Sequence, residues 1–395
     1  MIPLYILEPP AVGAAWAPFA GCRPLAEMRA GAHLVRERWE RVLGARTTEV
    51  MGGEALGFHD PAGPPAVALH AVTGPAWIAS STFAPALEQL ASRNRPARLV
   101  AAGVTVGRML GPGESGGGLG DTEPGGTDVI EVDGVPLPAA HTLLDALDRL
   151  LGPDCAAERD AGPGDPLPEG TIVLGDRRDV VSRGAVIEPG VVFDVRQGAV
   201  VLEQGAEIRS GVRLEGPCWV GSGTRVVGGF VRASALGPRC VVRGEVAASV
   251  FVGYANKAHD GFVGHSVVGQ WVNLGAGTTT SNLKNTYGAV RLEVAETRLE
   301  TGRTFLGTLF GDHAKTAIGT MLSTGTVVGA GANVFGETGV PKYVAPFAWG
   351  HASGRSLTEE GFLRIAERVL PRRNVAWNEA QHAALAATYR RLAPR

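Results

Sequence analysis

VLEQGAEIRSGVRLEGPCWVGSGTRV, residues 201–226, sets an aliphatic residue at every sixth position: Leu202, Ile208, Leu214, Val220 and Val226. Four residues after each stands Ala206, Val212, Cys218, Thr224 or Phe230. A helix returns to one face after 3.6 residues and a strand after two, so neither explains a spacing of six. A flat-sided coil does. Six residues form one side, the aliphatic residue stacks inward, and glycines such as Gly205, Gly211 and Gly223 turn the corners. The phase returns at Val268 and Leu274, and again at Leu322, Val328 and Val334. Residues 171–350 are therefore expected to form a parallel β-helix of hexapeptide repeats. Three sides per coil, at ~4.8 Å per coil, give on the order of eight to ten coils and a rod ~40 Å tall.

The segment 279–312 is too long for one side and is expected to leave the rod as a loop or arm. After Ser356 the tail, residues 351–395, reads as two amphipathic helices suited to capping an end or a neighbouring subunit. Before the rod, residues 1–160 read as mixed α/β. IPLYIL and AWIASSTF are strands, and RLVAAGVTVGRML begins as one. A helix is expected within 24–43 after its first residues, and another over AHTLLDALDRLL, ended by Gly152-Pro153. The glycine-rich segment 111–127 reads as a flexible loop; it lacks the lysine and the strand-to-helix setting of a phosphate loop. Residues 161–170, AGPGDPLPEG, form a Pro/Gly linker.

A chain of 395 residues holds two or three domains, and a net charge of −2 gives no general pull toward nucleic acid or an anionic membrane. No run of eighteen apolar residues occurs, and the apolar N-terminus lacks a basic leader, so no membrane span and no signal peptide are expected. Four widely spaced cysteines without a CxxC pair suit buried thiols in a reducing compartment, and the expected location is cytoplasmic. Of the 37 basic residues only Lys257, Lys284, Lys315 and Lys342 are lysine. An arginine-biased chain is expected to keep lysine where a compact ammonium is needed rather than a planar fork.

Two of these lysines fall in VFVGYANKAHDGFVGHSVVGQWVNLGAGTTTSNLK, residues 250–284, where a rod needs no such density of His, Asn and Lys. The segment closely resembles the acetyltransferase domain of the GlmU family, which acetylates glucosamine 1-phosphate and then uridylylates the product. The family's KA-x-H is matched by Lys257-Ala258-His259, one residue shorter, and its following glycine, VNIGAGT and later asparagine by Gly264, Val272 to Thr278, and Asn282. FAGCRPLAEMRAGAHLVRERW, residues 19–39, resembles a narrower group of GlmU-like sugar nucleotidyltransferases with a shortened N-domain. Their RP-x-x-E-x-R-x-G segment is met by Arg23, Pro24, Glu27, Arg29 and Gly31, and the HDGFVGHS wording is also similar.

The resemblance implies a shortened, nucleotidyltransferase-like (Rossmann-like) α/β domain and a left-handed rod, the reverse of the usual crossover hand. It implies a homotrimer with acetyltransferase sites between neighbouring rods, and acetyl-CoA or another acyl-CoA as co-substrate. His259 matches the family's catalytic base, a role that suits an imidazole titrating near neutrality. Lys257, His265, Asn273, Asn282 and Lys284 are candidate contacts for a sugar phosphate or nucleotide sugar. His265 is expected either to orient His259 or to meet an anionic group. Gly275, Ala276 and Gly277 let an acyl-CoA approach the backbone, whose N–H groups can polarise a thioester oxygen. Thr320 falls where the family contacts acetyl-CoA.

Two departures bear on substrate. The coil before the motif, VAASVFVG, lacks the family's basic residues, leaving Arg239 or Arg243 as replacements, and Phe262 stands for a tyrosine. The N-domain has no GxGTR loop and no lysine, so Arg23 and Arg29 are the candidate nucleotide contacts. Glu27, with Asp128 and Asp133, is the candidate set for Mg²⁺ should that domain be active. Three readings follow: acyl transfer on the rod with a nucleotide-binding N-domain; sugar-1-phosphate nucleotidyl transfer with the rod as trimerisation scaffold; or a non-catalytic binding or scaffold protein.

Overall fold

The computed structural model describes residues 2–52, 63–88, 90, 95–120, 128–336 and 339–394. The N-terminal part is built on a seven-stranded sheet. Its strands are β1 (Pro3–Leu7), β2 (Arg46–Met51), β3 (Ala66–Val67), β4 (Ala76–Ser80), β5 (Ala97–Ala101), β6 (Val104–Leu110) and β7 (Asp128–Glu131), in the order β7-β5-β6-β4-β1-β2-β3. All pairings are parallel except those of β6, which runs antiparallel to both neighbours. Leu4 and Ile6 of β1 are fully buried, as the alternation in IPLYIL requires.

Two helix expectations change. Residues 24–34 make a 3-10 turn and a short hairpin, and helix α1 starts only at Val35, running to Leu43. The carboxylate of buried Glu8 accepts from the Leu25 and Ala26 N–H groups at 2.9 and 3.0 Å, which holds the backbone there out of helical register. Helix α2 spans Thr142–Asp160 and passes through Gly152-Pro153 instead of ending there. Proline removes one helix hydrogen bond. Tertiary contacts downstream outweigh it: Asp154 pairs with both terminal nitrogens of buried Arg38, at 2.7 and 3.0 Å, and accepts from the Ala32 N–H.

From Ile172 the chain forms the left-handed parallel β-helix. Side one runs from Ile172–Leu174 to Met321–Leu322, side two from Val180–Ser182 to Tyr343–Val344, and side three from Val186–Ile187 to Asn333–Val334. Side two has nine strands, hence nine coils. The column Leu202, Ile208, Leu214, Val220, Val226 is fully buried. Phe230 is the exception: the register slips at Gly228-Gly229, so Val231 points inward and Phe230 lies on the outer surface of side one.

The inserted segment is shorter than expected. Thr279-Thr280 and Thr308–Phe310 stay in the rod, and the chain between them carries an antiparallel hairpin, Arg291–Val294 with Thr297–Glu300. Arg303 returns this arm to α2 through Asp145 and Asp148. Helices α3 (Glu359–Val369) and α4 (Glu379–Leu392) cap neither end of the rod. They pack against its flank, where Phe362, Leu363 and Leu385 join Trp271, Ala330 and Phe347, with Cys22 of the N-terminal part in the same cluster.

Side two is apolar on its outer surface as well. Val181, Val201, Trp219, Val250, Val267, Leu309 and Val327 share one buried cluster with Leu143, Leu147 and Leu151 of α2 and with the core of the sheet. The N-domain therefore lies along the rod rather than beyond its end. A buried ion pair helps to fasten the join: Arg23 Nε to Asp312 Oδ2 at 2.7 Å, with both side chains about fully buried. Asp312 Oδ1 also accepts from the Gln270 N–H.

Removing one partner of a buried pair strands a charge, at roughly 3–5 kcal/mol. Arg23→Gln is thus expected to lower the urea midpoint substantially. The double variant Arg23→Met, Asp312→Asn should recover most of the loss, because an uncharged pair leaves no stranded charge. Equal losses in both variants would show that the ion pair is not what matters at this join.

Candidate active site

A left-handed residue precedes most strands of the rod, and the choice of residue differs by corner. Before side one stand Gly190, Gly211, Gly244, Gly261, Gly277 and Gly319, all at positive φ. At Gly261 a side chain is excluded by space as well as by φ, since a Cβ there would lie 2.2 Å from the Thr278 carbonyl oxygen. Two residues before side three the early coils use Gly184, Gly205 and Gly223, but later coils use Arg239, Tyr254, Trp271 and His313, with φ between 54° and 62°. A non-glycine residue in that region costs about 1–2 kcal/mol. Such strain points to function where it is observed.

His259 sits on the glycine corner and is exposed. Its ring makes no hydrogen bond to any described residue. The backbone beneath it is fixed by Lys257, a 2 % exposed side chain whose ammonium donates to the Arg243 and His259 carbonyls, both at 2.8 Å. Burial pulls the Lys257 ammonium down to about 8, and nearby Asp260 opposes this. Asp260 in turn pairs with Arg243 Nε at 3.0 Å, which sets an arginine beside the His259 corner. Of the two arginines proposed to replace the family's basic residues, Arg243 is thus near His259. Arg239 instead donates to the Arg373 carbonyl in the tail.

The coil above brings Ala276 over His259, because Asn256 pairs in register with Asn273 and each lies three residues before these positions. Gly275 N–H donates to the Thr316 carbonyl, and Gly277 N–H to the Asp260 carbonyl. Among the described residues the Ala276 N–H has no partner, so it alone of the three remains to meet a ligand. Thr320 is buried and its hydroxyl donates to the Ala317 carbonyl at 2.8 Å. Ile318 and Met321 beside this corner are 78 % and 66 % exposed.

His265 is not beside His259. It holds the next corner, and six residues of near-extended chain set the two roughly 15–20 Å apart. Its φ is 45°, where the coil below has Ala248. Asn282 Nδ2 donates to His265 Nδ1 at 2.8 Å, which places the ring proton on Nε2. The ring stacks on Phe305 of the inserted arm, centroids 5.1 Å apart. Lys284 closes a turn of the same arm through the Ala289 carbonyl. Asn273 is exposed on side three and accepts from Asn256 at 2.8 Å. The polar residues of 250–284 therefore occupy three places: the His259 corner, the His265 corner and side three.

In the N-domain, Arg23 is engaged by Asp312, Glu27 by Arg36 at 2.6 Å, and buried Arg29 by the Ala32 carbonyl. A cavity of about 500 Å³ opens instead where β4, β5 and β7 end, with Ser80, Thr82, Thr105, Asp133 and Arg149 among apolar neighbours. Carboxyl ends of parallel strands are the usual ligand site of such sheets. Arg23, Glu27 and Arg29 do not line it, whereas Asp133, from the candidate magnesium set, does. Asp133 pairs with Arg149, and among the described residues no three His, Cys, Asp or Glu side chains converge as metal ligands would. Asp133 is the carboxylate that the described residues bring to this cavity, and a magnesium ion there would take its other ligands from substrate phosphates and water. All four cysteines are buried and unpaired, and among the described residues no helix is long and apolar enough to cross a membrane.

No family model matches the chain. Among curated proteins it is 32 % identical over 150 residues to a bifunctional sugar-1-phosphate nucleotidylyltransferase/acetyltransferase of Sulfurisphaera tokodaii, covering 35 % of this chain and 36 % of that protein. It is 37 % identical over 107 residues to bifunctional protein GlmU of Jannaschia sp., covering 26 % and 22 %. This chain is similar to GlmU. A third relative, bifunctional protein GlmU of Methanocaldococcus jannaschii, is 34 % identical over 86 residues, covering 22 % and 21 %. The chain thus spans about a third or less of the length of the curated relatives it matches.

Burial, with Arg303 and Arg232 nearby, depresses the His265 imidazolium to about 4, against a weaker opposing pull from Asp148. The unfolded chain takes up this proton near pH 6.5, and the folded protein only near 4. Stability tied to neutral His265 is therefore full above pH 6.5 and falls away as pH drops toward 4. Urea midpoints measured from pH 7 to 4 should fall less steeply for His265→Gln than for the wild type. An NMR titration showing the His265 ring protonated at pH 6 would refute the assignment.

Proposed function

We propose that the chain is a GlmU-like transferase acting on a sugar phosphate or nucleotide sugar. Its β-helix moves an acetyl group from acetyl-CoA, or the acyl group of another acyl-CoA, to an amino-sugar phosphate or nucleotide sugar. The observation that carries this reading is the pairing of an exposed, unbonded His259 with an unpartnered Ala276 N–H one coil above, ~4.8 Å along the rod. A base and an oxyanion donor at that separation bracket one tetrahedral centre.

A ring nitrogen of His259 takes a proton from the acceptor amine as its nitrogen attacks the thioester carbonyl. The Ala276 N–H donates to the oxygen that becomes negative. The carbon–sulfur bond then breaks, and the imidazolium returns the proton to the leaving thiolate. Arg243, held by Asp260, sets a cation beside the base that favours an anionic acceptor. Lys257 keeps the base still by tying its carbonyl to the coil below. Assembly as a homotrimer covers the exposed Ile318 and Met321 and closes the site against water. The N-domain binds a nucleotide in the cavity at the ends of β4, β5 and β7.

That cavity also favours a second reading, nucleotidyl transfer with the rod as scaffold. Pyrophosphate released from a sugar 1-phosphate and a nucleoside triphosphate would support it. For the acyl transfer reading, free thiol is followed with acetyl-CoA and a panel of amino-sugar phosphates. His259→Ala is expected to lower kcat by roughly 10²–10⁴-fold. Turnover that survives this change intact would remove His259 from the mechanism.

A further inference from the structure

A second polar cleft lies on side three, between the rod and the turn that follows α3. It encloses about 280 Å³ over the stacked rings of Tyr254 and Trp271, whose centroids are 4.6 Å apart with 18° between planes. Asn256, Asn273, Lys315, Arg372 and Arg373 supply its polar lining, and among the described residues no carboxylate lines it. Among the described residues, none of its three cations takes part in an ion pair. Like charges gathered without a counter-ion repel, more strongly as burial lowers the local dielectric.

Structural duty accounts for one of the three. Arg373 staples the tail to the rod, donating to the Arg239 carbonyl at 3.2 Å and to Asn256 Oδ1 at 3.1 Å. Arg372 is exposed and has no side-chain bond to a described residue. Lys315 spends one donor, at 3.2 Å, on the carbonyl of His313. Lys257 and Lys342 differ, since each ammonium meets two oxygens. An ammonium has three donors, so Lys315 keeps two for something else. Burial of its side chain draws Lys315 down to about 8. The strained Tyr254 and Trp271 corners build the floor of the same cleft.

We propose that this cleft binds the phosphate group of a phosphate ester, held by Lys315, Arg372 and Arg373, with the Asn273 amide beside it. Phosphate accepts from several donors at once, which matches a convergent set of cations and amides. The group has two sources in the reaction proposed above, the acceptor's phosphate and the phosphates of coenzyme A. Binding does not depend on acyl transfer taking place.

Calorimetric titration of the full chain at low salt with inorganic phosphate, coenzyme A and glucosamine 1-phosphate separates these sources, the tightest arm naming the ligand. Lys315→Gln and Arg372→Gln are each expected to weaken that arm roughly tenfold, the loss of one charge-assisted hydrogen bond. Arg364→Gln, on the exposed face of α3 and paired to Glu360, should bind as the wild type does. Thermal melts confirm folding, and Arg372, being exposed, gives a variant whose fold is not at stake. No binding in any arm, or unchanged binding in both cleft variants, overturns the proposal. Absence of thiol release in the transfer assay leaves it standing.

Discussion

Most corners of this flat-sided coil turn where the backbone enters the left-handed region, and much else on the rod follows from how that demand is met. Glycine meets it without strain, and on the corner before side one glycine is kept. Nothing larger fits at Gly261, against the coil above. That corner stays low, so His259 stands clear of it. On the corner before side three, Tyr254, Trp271 and His313 accept about 1–2 kcal/mol of strain apiece. Ring stacking returns only ~0.5–1.5 kcal/mol per pair. Burial of Trp271 at 8 % exposure, and of Phe362 edge-on to His313, adds about 1.5–3 kcal/mol per side chain and decides the balance. The strained corner is stable because the tail helices cover it.

The three sides are thereby put to different uses. Side two is apolar outside and is spent on α2 and the N-terminal sheet. Side three is flanked by the tail, which leaves a cationic cleft. Side one and its glycine corner carry His259, Ile318 and Met321 in the open. The site proposed above, lying between copies, needs one free edge per rod. Fastening the N-domain along side two, through Arg23 and Asp312, is compatible with that edge remaining free.

The rod was legible because its inward column obeys one number. Leu202 to Val226 repeat every six residues, and stacking forces each into the core. Phe230 faces outward because the turn at Gly228-Gly229 is one residue shorter than in the coil below, and no local signal in the sequence marks where a coil loses residues. Pro153 was misread because local propensity yields to the Arg38–Asp154 pair, whose partners lie far apart in the chain. The candidate site was legible in part. Residues 250–284 looked like one polar cluster, yet neighbours six apart in sequence fall on different sides, while Asn256 and Asn273 stack. The side-three strands begin at 225, 241, 256 and 273, so coil length varies and stacking partners cannot be counted off. The one signal that does survive in the sequence is a large residue where the repeat wants glycine, as at Trp271 and His265.

The four lysines sharpen this. In a chain that otherwise uses arginine, each lysine ammonium ends on a backbone carbonyl: Lys257 on Arg243 and His259, Lys284 on Ala289, Lys315 on His313, Lys342 on Thr324. A guanidinium is planar and wide, whereas an ammonium fits among carbonyls that converge from adjacent coils. Lysine is therefore retained first for shape. Its charge becomes available to a ligand only where the carbonyls are too few, as at Lys315, and is consumed where they suffice, as at Lys257. The basic residues able to meet a phosphate are thus to be sought by counting unspent donors, and on that count Lys315 and Lys284 both stand ahead of Lys257.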